Sequence, residues 1–366
     1  MKASLFCTTR YDGPASHTVW PAPTDTYTAE WAEKSMQNTL ERFRLGDEVG
    51  FDWVTVAEHH FAPFSMTPNP MVMAAALTNV VKRAKIAILG PDIPILDPVR
   101  VAEEIAMVDT MTGGRVIAGL MRGSANEYVT YNVNPAESRA RFEESLRLIR
   151  MAWTQTQPFG WQGRYYEYRS ICIWPRPVQA PHPQIYMSTA SPEAGEFAAR
   201  HRLGAGFAFT TVQIAAEAAK YYREQCRIHG WEPEPEQIIY RLAMHVADTD
   251  DQAFEEMRTA GGALPAVGLS FRNRAVEQAV AGSGYYGRDI EGQRGRLQTR
   301  GEMRDRIERG QVLVGSPDTV LQQVRRIRDT LGAGVLDLVV ASQLGDKTLR
   351  AIELFGTKVL PRMHEL

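Results

Sequence analysis

Short apolar runs alternate with amphipathic, capped runs along almost the whole chain, and this alternation restricts the fold more than any other feature. Eight runs read as strands: Leu5–Thr8, Val54–Ala57, Lys85–Gly90, Arg115–Met121, Gln184–Thr189, Ala205–Phe209, Ile238–Val246 and Leu336–Ser342. The spacing between them predicts helices over Thr28–Val49, Pro70–Val81 and Val212–Ile228, and from Asp346 to about Met363. Three more helices announce their starts. Asp97 is placed to cap one, with Pro98 at its first position. Asn134-Pro135-Ala136-Glu137 joins a cap, a proline and a third-position glutamate, and Ser191-Pro192-Glu193 opens the last of the three. Eight strands alternating with helices is the count for an α/β fold of the (β/α)₈ (TIM) barrel type, here as a single domain over 1–366. A doubly wound open sheet would need fewer strands.

The pattern breaks once before the last strand, between about Asp251 and Gly315, where glycine and charge accumulate. That segment reads either as a surface insertion or as a mobile lid over the barrel mouth.

Composition removes several function classes. The formal net charge is -2, so there is no basic field for nucleic acid. Cys7, Cys172 and Cys226 are odd in number and far apart, which argues against a disulfide framework and a thiolate metal site and fits a reducing compartment. No apolar run approaches the roughly 20 residues of a membrane span. The expectation is a soluble cytoplasmic protein.

In a (β/α)₈ barrel the reactive groups stand at the carboxyl ends of the strands. Read as one set, those ends supply Glu58-His59-His60, Leu89-Gly90-Pro91-Asp92, Met121-Arg122 with the run on to Asn126, Glu127 and Tyr128, and Ser188-Thr189-Ala190-Ser191. Arg122, after an apolar strand and before a glycine, suits an anion or an electron-rich ring; the alternative is an ion pair with a loop carboxylate. Ser191-Pro192 starts a helix whose free N–H groups suit a phosphate, or simply its own cap. Gly90 lets a planar ligand approach the backbone. Asn126 and Glu127 can meet a ring edge or cap a loop. Together these ends describe a planar, phosphorylated, polar-edged ligand beside a histidine, and flavin mononucleotide (FMN) fits that description. A metal site is not expected. Neighbouring residues of an extended chain point to opposite sides, so Glu58, His59 and His60 do not share one ion, and His17, His182 and His245 are scattered.

The same residues carry a resemblance. GFDWVTVAEHHFAPF (Gly50–Phe64), TPNPMVMAAAL (Thr67–Leu77), the run from Pro94 to Gly123, NPAESRARFEE (Asn134–Glu144) and PQIYMSTASPEAGEFAA (Pro183–Ala199) resemble the bacterial luciferase-like, flavin-dependent monooxygenases, themselves (β/α)₈ proteins. The resemblance implies that His59 is the catalytic histidine at the flavin's reactive edge. It implies a cofactor site from Glu58, Leu89, Gly90, Met121, Arg122, Asn126, Arg139, Ser188, Thr189 and Ser191. Leu89-Gly90 matches a place where the family often has a non-proline cis peptide, and Ser191 a phosphate-binding serine. Two positions depart from the pattern: Met121 stands where bacterial luciferase has a cysteine, and Ala190 where the family has a glutamate before the serine.

The activity implied is an FMNH₂-dependent monooxygenation. O₂ is activated as a peroxyflavin in a dry pocket, and a small organic substrate is oxygenated. No Gly-x-Gly-x-x-Gly follows a strand, so reduced flavin is expected from a separate NAD(P)H:flavin reductase. A homodimer or higher homo-oligomer is implied by the relatives. The alternatives are hydride transfer with a deazaflavin (coenzyme F420) on the same fold, and a non-catalytic flavin-binding relative. Trp20, Tyr27, Trp161, Tyr165, Tyr166 and Trp174 suggest an apolar or aromatic substrate, or else pack the outside of the barrel. Arg272, Arg274, Arg288, Arg294 and Arg296 in the insertion either meet an acidic group or stay solvated.

Overall fold

The computed structural model describes residues 1–15, 19–260, 283 and 302–366. Eight parallel strands close into a barrel: β1 (Lys2–Phe6), β2 (Trp53–Val56), β3 (Lys85–Asp92), β4 (Val116–Met121), β7 (Ile185–Ser188), β8 (Gly204–Ala208), β9 (Ile238–Val246) and β11 (Val335–Val340). β1 pairs with β11, and β8 pairs with β9 to complete the ring. The eight expected strands are these eight.

A further strand, β10 (Val312–Gly315), was not among those expected. β8 ends opposite Arg241, and β10 takes over the pairing of β9 from Ala243 to Val246. Four residues after a charged run give too little periodicity to register in the sequence. The expected insertion is correspondingly shorter on both sides. Asp250–Thr259 is helical, and Met303–Glu308 forms a short helix leading into β10. The rest of the insertion, including the five arginines named above and the lid itself, lies outside the described residues apart from Ser283, as does His17.

The helices start where their caps say. Thr28 caps α1 (Ala29–Glu48), accepting from Trp31 N; Asn69 caps α2 (Pro70–Val80); and Asp97 accepts from Val99 N and Arg100 N at the head of α3 (Pro98–Thr112). The Asn134 signal instead opens a single tight turn at Pro135–Glu137, and the long helix α5 follows from Ser138 to Thr154. A short helix, α4 (Ala125–Thr130), precedes it and carries the residues expected as an extended strand end. Strand residues alternate between two apolar layers. Leu5, Val54, Ile86 and Ile88 pack outward against Phe43, Leu77 and Ile105 of the helices. Trp53, Ala87, Ile117, Tyr186, Ile239 and Val335 fill the bore, with Trp53 and Tyr186 edge to face at 5.9 Å. The bore is plugged at that level, so a ligand has room only toward the carboxyl ends.

The aromatic-rich connection is a separate antiparallel hairpin, β5 (Phe159–Gln162) and β6 (Glu167–Ile171). Buried Glu144 of α5 anchors it, accepting from Trp161 Nε1 and from the N–H groups of Arg164, Tyr165 and Tyr166, each at 3.1 Å. Trp161, Tyr165 and Tyr166 therefore sit on the outside of the barrel, and Trp174 is 88% exposed. Trp20 is buried with its Nε1 donating to the His60 carbonyl, and Tyr27 stacks on Tyr11. None of the six aromatics lines the central cavity. No helix of the described residues is long and apolar enough to cross a membrane.

Candidate active site

The strand ends open on one cavity of about 650 Å³. β2 delivers Glu58 and His59, β3 delivers Leu89, Gly90 and Asp92, β4 delivers Met121 and Arg122, and β7 delivers Ser188. Ser191 comes from the cap of α6 (Pro192–Arg200) and Arg139 from the first turn of α5. Nine of the expected residues thus meet at one site, and two do not. Asn126 lies in the first turn of α4, where Ser124 N donates to Glu127 Oε2 at 2.8 Å. That reciprocal cap brings Glu127, not Asn126, to the cavity wall. Thr189 follows inward Ser188 by one residue and so turns outward, its N–H continuing the ladder to Gly206 O at 3.0 Å.

Gly90 is required by the approach of two strands. A Cβ there would stand 2.4 Å from Glu58 N and 2.6 Å from Ala57 Cα. The Leu89–Gly90 bond is nevertheless trans: among the described residues the cis bonds are Trp20–Pro21, Trp174–Pro175 and Ala180–Pro181. The cis peptide at the place the resemblance matches is absent here. Gly123, at φ +80°, lies against the Asp92 carboxyl, where a Cβ would meet Cγ at 3.0 Å.

Glu58, Asp92 and Glu127 form a buried carboxyl cluster. Burial pushes the Glu58 pKa up, against the hydrogen bond from His60 at 3.0 Å. Asp92 is raised well above the ordinary carboxyl value by burial, with Glu58 and Glu127 adding to the effect. His59 is pushed down to about 4 by burial, with Arg241 and His60 assisting and Glu127 opposing. At neutral pH the site therefore presents a neutral imidazole, together with a carboxyl that keeps its proton to higher pH than an ordinary one. The His59 backbone N–H donates to Thr67 O at 3.1 Å, and its ring packs against Phe64 at 5.0 Å. Arg122, Arg139 and Arg200 line the cavity with Ser188, Ser191 and the opening turn of α6, and Glu143, Glu193 and Glu196 line it with them. Ser191 accepts from Ala194 N at 3.3 Å. Among the described residues no three His, Cys, Asp or Glu side chains converge as metal ligands.

Sequence reasoning missed Arg241 and Asp337, both of which line the cavity from the bore. Arg241 Nε donates to Asp337 Oδ2 at 2.6 Å, and the guanidinium lies 4.0 Å over the Phe6 ring. The signal was there to read: a charge between Tyr240 and Leu242, and another between Leu336 and Leu338, each inside an apolar strand.

The sequence profile of the luciferase-like monooxygenases matches residues 1–334. The oxygenase component of a flavin-dependent trigonelline monooxygenase from Acinetobacter baylyi is 24% identical over 221 residues, 58% of this chain and 60% of that protein. The oxygenating constituent of 3,6-diketocamphane monooxygenase from Pseudomonas putida, solved in complex with FMN, superposes with a TM-score of 0.74 at 18% identity over 99% of this chain and 98% of that one. An F420-dependent secondary alcohol dehydrogenase superposes at 0.69 and 16% identity over 99% and 98% of the two chains. At these identities the two superpositions show the fold. With a profile match over residues 1–334, the chain belongs to the luciferase-like monooxygenase family.

Proposed function

We propose that the chain is the oxygenase of a two-component system, using reduced FMN and O₂ to oxygenate a small organic substrate. One observation carries this reading: a single cavity joins a neutral histidine to arginines, serines and the opening turn of a helix. The residues fit FMN. Arg122 and Arg139, with Ser188, Ser191 and the first turn of α6, suit the phosphate as charge-assisted and backbone donors. Leu89 and Gly90 form a wall without a projecting side chain at Gly90, on which a planar ring can lie.

Bound reduced FMN supplies the electrons to O₂. The chain's own residues do the rest. His59 is neutral with one nitrogen lone pair free to take a proton, and burial makes the Asp92 carboxyl hold a proton more tightly than an ordinary one. Leu120, Phe142 and Phe207 line the cavity and exclude water from it. Supply of reduced flavin by a separate NAD(P)H:flavin reductase, a single barrel domain over the whole chain, cytoplasmic location and homo-oligomeric assembly belong to the same proposal.

The test mixes the purified protein with photoreduced FMN, then with oxygen, and follows rapid spectra of wild type and His59→Ala. A transient distinct from oxidised and reduced FMN, shortened in the variant, is the expected result. Free flavin reoxidising at its solution rate in both proteins, with no binding, would end the proposal. Hydride exchange with F420 under anaerobic conditions would then be measured instead.

A further inference from the structure

We propose that Arg241 and Asp337 form a donor–acceptor fork at the inner end of the cavity, built for a ligand edge that presents a C=O beside an N–H or O–H. The inference rests on the proposed function only in its choice of sources for that edge: the pyrimidine ring of the flavin, or the substrate held beside it.

The two residues leave hydrogen-bonding groups unmet. Asp337 is fully buried, yet only its Oδ2 has a partner; Oδ1 has none. Arg241 spends Nε on that contact and rests its face on Phe6, and among the described residues Nη1 and Nη2 carry no hydrogen bond. Both residues line the cavity, side by side in the β9–β11 register.

A purely structural pair would not look like this, as the chain's other buried carboxylates show. Glu144 collects four donors. Asp47 collects the N–H groups of Lys82, Arg83 and Ala84. Asp109 takes the N–H groups of Val178 and Gln179 and the Gln179 side chain. Buried oxygens are paired as a rule, so an orphan on a residue of the cavity lining points to a ligand atom. The nearby Ser4 and Thr55 hydroxyls, 2.6 Å apart, leave Oδ1 without a partner.

Charge decides the class of ligand. Asp337 already offsets the Arg241 cation, and a second oxyanion would face the unmet Oδ1. A neutral edge meets both groups: its carbonyl accepts from an Nη, and its N–H or O–H donates to Oδ1.

The experiment compares N–H ligands with their N-methyl forms. Binding of lumiflavin and 3-methyllumiflavin is measured by fluorescence on the protein without added flavin. Binding of glutarimide and N-methylglutarimide is measured by calorimetry on the FMN-loaded protein. If the flavin meets the fork, 3-methylation weakens wild-type binding about tenfold or more, and Asp337→Asn erases the difference. If the substrate meets it, the two lumiflavins bind alike, while glutarimide loses about tenfold on methylation and in Arg241→Gln. Equal binding of both methylated and unmethylated pairs by wild type overturns the proposal without recourse to any variant. Thermal melts check that the variants fold. Wild type that binds no FMN, yet still separates glutarimide from its methyl form on the flavin-free protein, would refute the proposed function and leave the fork standing.

Discussion

His60 Nε2 stands 3.0 Å from Glu58 Oε1, and its Nδ1 stands 3.2 Å from the Tyr131 hydroxyl. One buried imidazole thus links a ring that is 45% exposed to a carboxyl at the cavity wall. His60→Ala removes the side-chain partner of a buried carboxyl and is expected to cost about 2 kcal/mol in urea unfolding. Tyr131→Phe, at the wet end of the same chain, is expected to cost under about 1 kcal/mol. Equal losses in the two variants would contradict the linkage.

His59 should titrate far from the ordinary histidine range. Its pKa falls to about 4 in the fold, chiefly through burial. Above the unfolded value of about 6.5, where the imidazole is neutral in both states, its burial carries no charging penalty. As pH falls from there through the folded value, the unfolded state binds the proton first, and up to about 3 kcal/mol of stability is lost. The difference in stability between wild type and His59→Gln should follow that window. Nuclear magnetic resonance of the ring Cε1–H gives the value directly, and a midpoint near the unfolded value would contradict the burial argument.

Asp92 has the opposite sign. Burial and two carboxyl neighbours raise its pKa, so its contribution is whole below the unfolded value and is lost as pH rises toward the folded one. Asp92→Asn keeps the shape and removes the titration. The variant should therefore gain on wild type as pH rises above the unfolded value, with the gain vanishing toward pH about 3. Denaturant midpoints across pH measure it.

Arg122 and Arg139 should read the phosphate and not the ring. Arg122→Met and Arg139→Met are each expected to weaken FMN by about tenfold while changing riboflavin by less than about twofold. Equal losses for both ligands would place the ring, not the phosphate, at these arginines.

Glu144→Ala should loosen the β5–β6 hairpin by about 2–3 kcal/mol, since four donors lose one acceptor. FMN affinity should not change, because the hairpin stands off the cavity. A large fall in affinity would return its aromatics to the binding site.

Local chemistry was enough for much of this protein. Asp97 and Pro98, Asn69 and Pro70, and Ser191 and Pro192 start helices because the groups that satisfy the free N–H donors are neighbours in the chain. The eight barrel strands are legible for the same reason, since a run such as Lys85-Ile86-Ala87-Ile88-Leu89 carries its apolar character within itself. Barrel topology then makes strand ends converge, which is why Glu58, His59, Arg122 and Ser191 are legible as one set, whereas Arg139 is implied only by the family resemblance. What tertiary structure decided is what depends on partners distant in sequence. The aromatics from Trp161 to Tyr166 point away from the cavity because Glu144 holds their loop. Gly90 is glycine because Ala57 and Glu58 cross it closely, and the peptide before it is trans. His59 is neutral because of what surrounds it. Arg241 and Asp337 lie 96 residues apart in the chain and meet only where β9 and β11 pair. Burial and long-range pairing are properties of the closed barrel, and no window of sequence contains them.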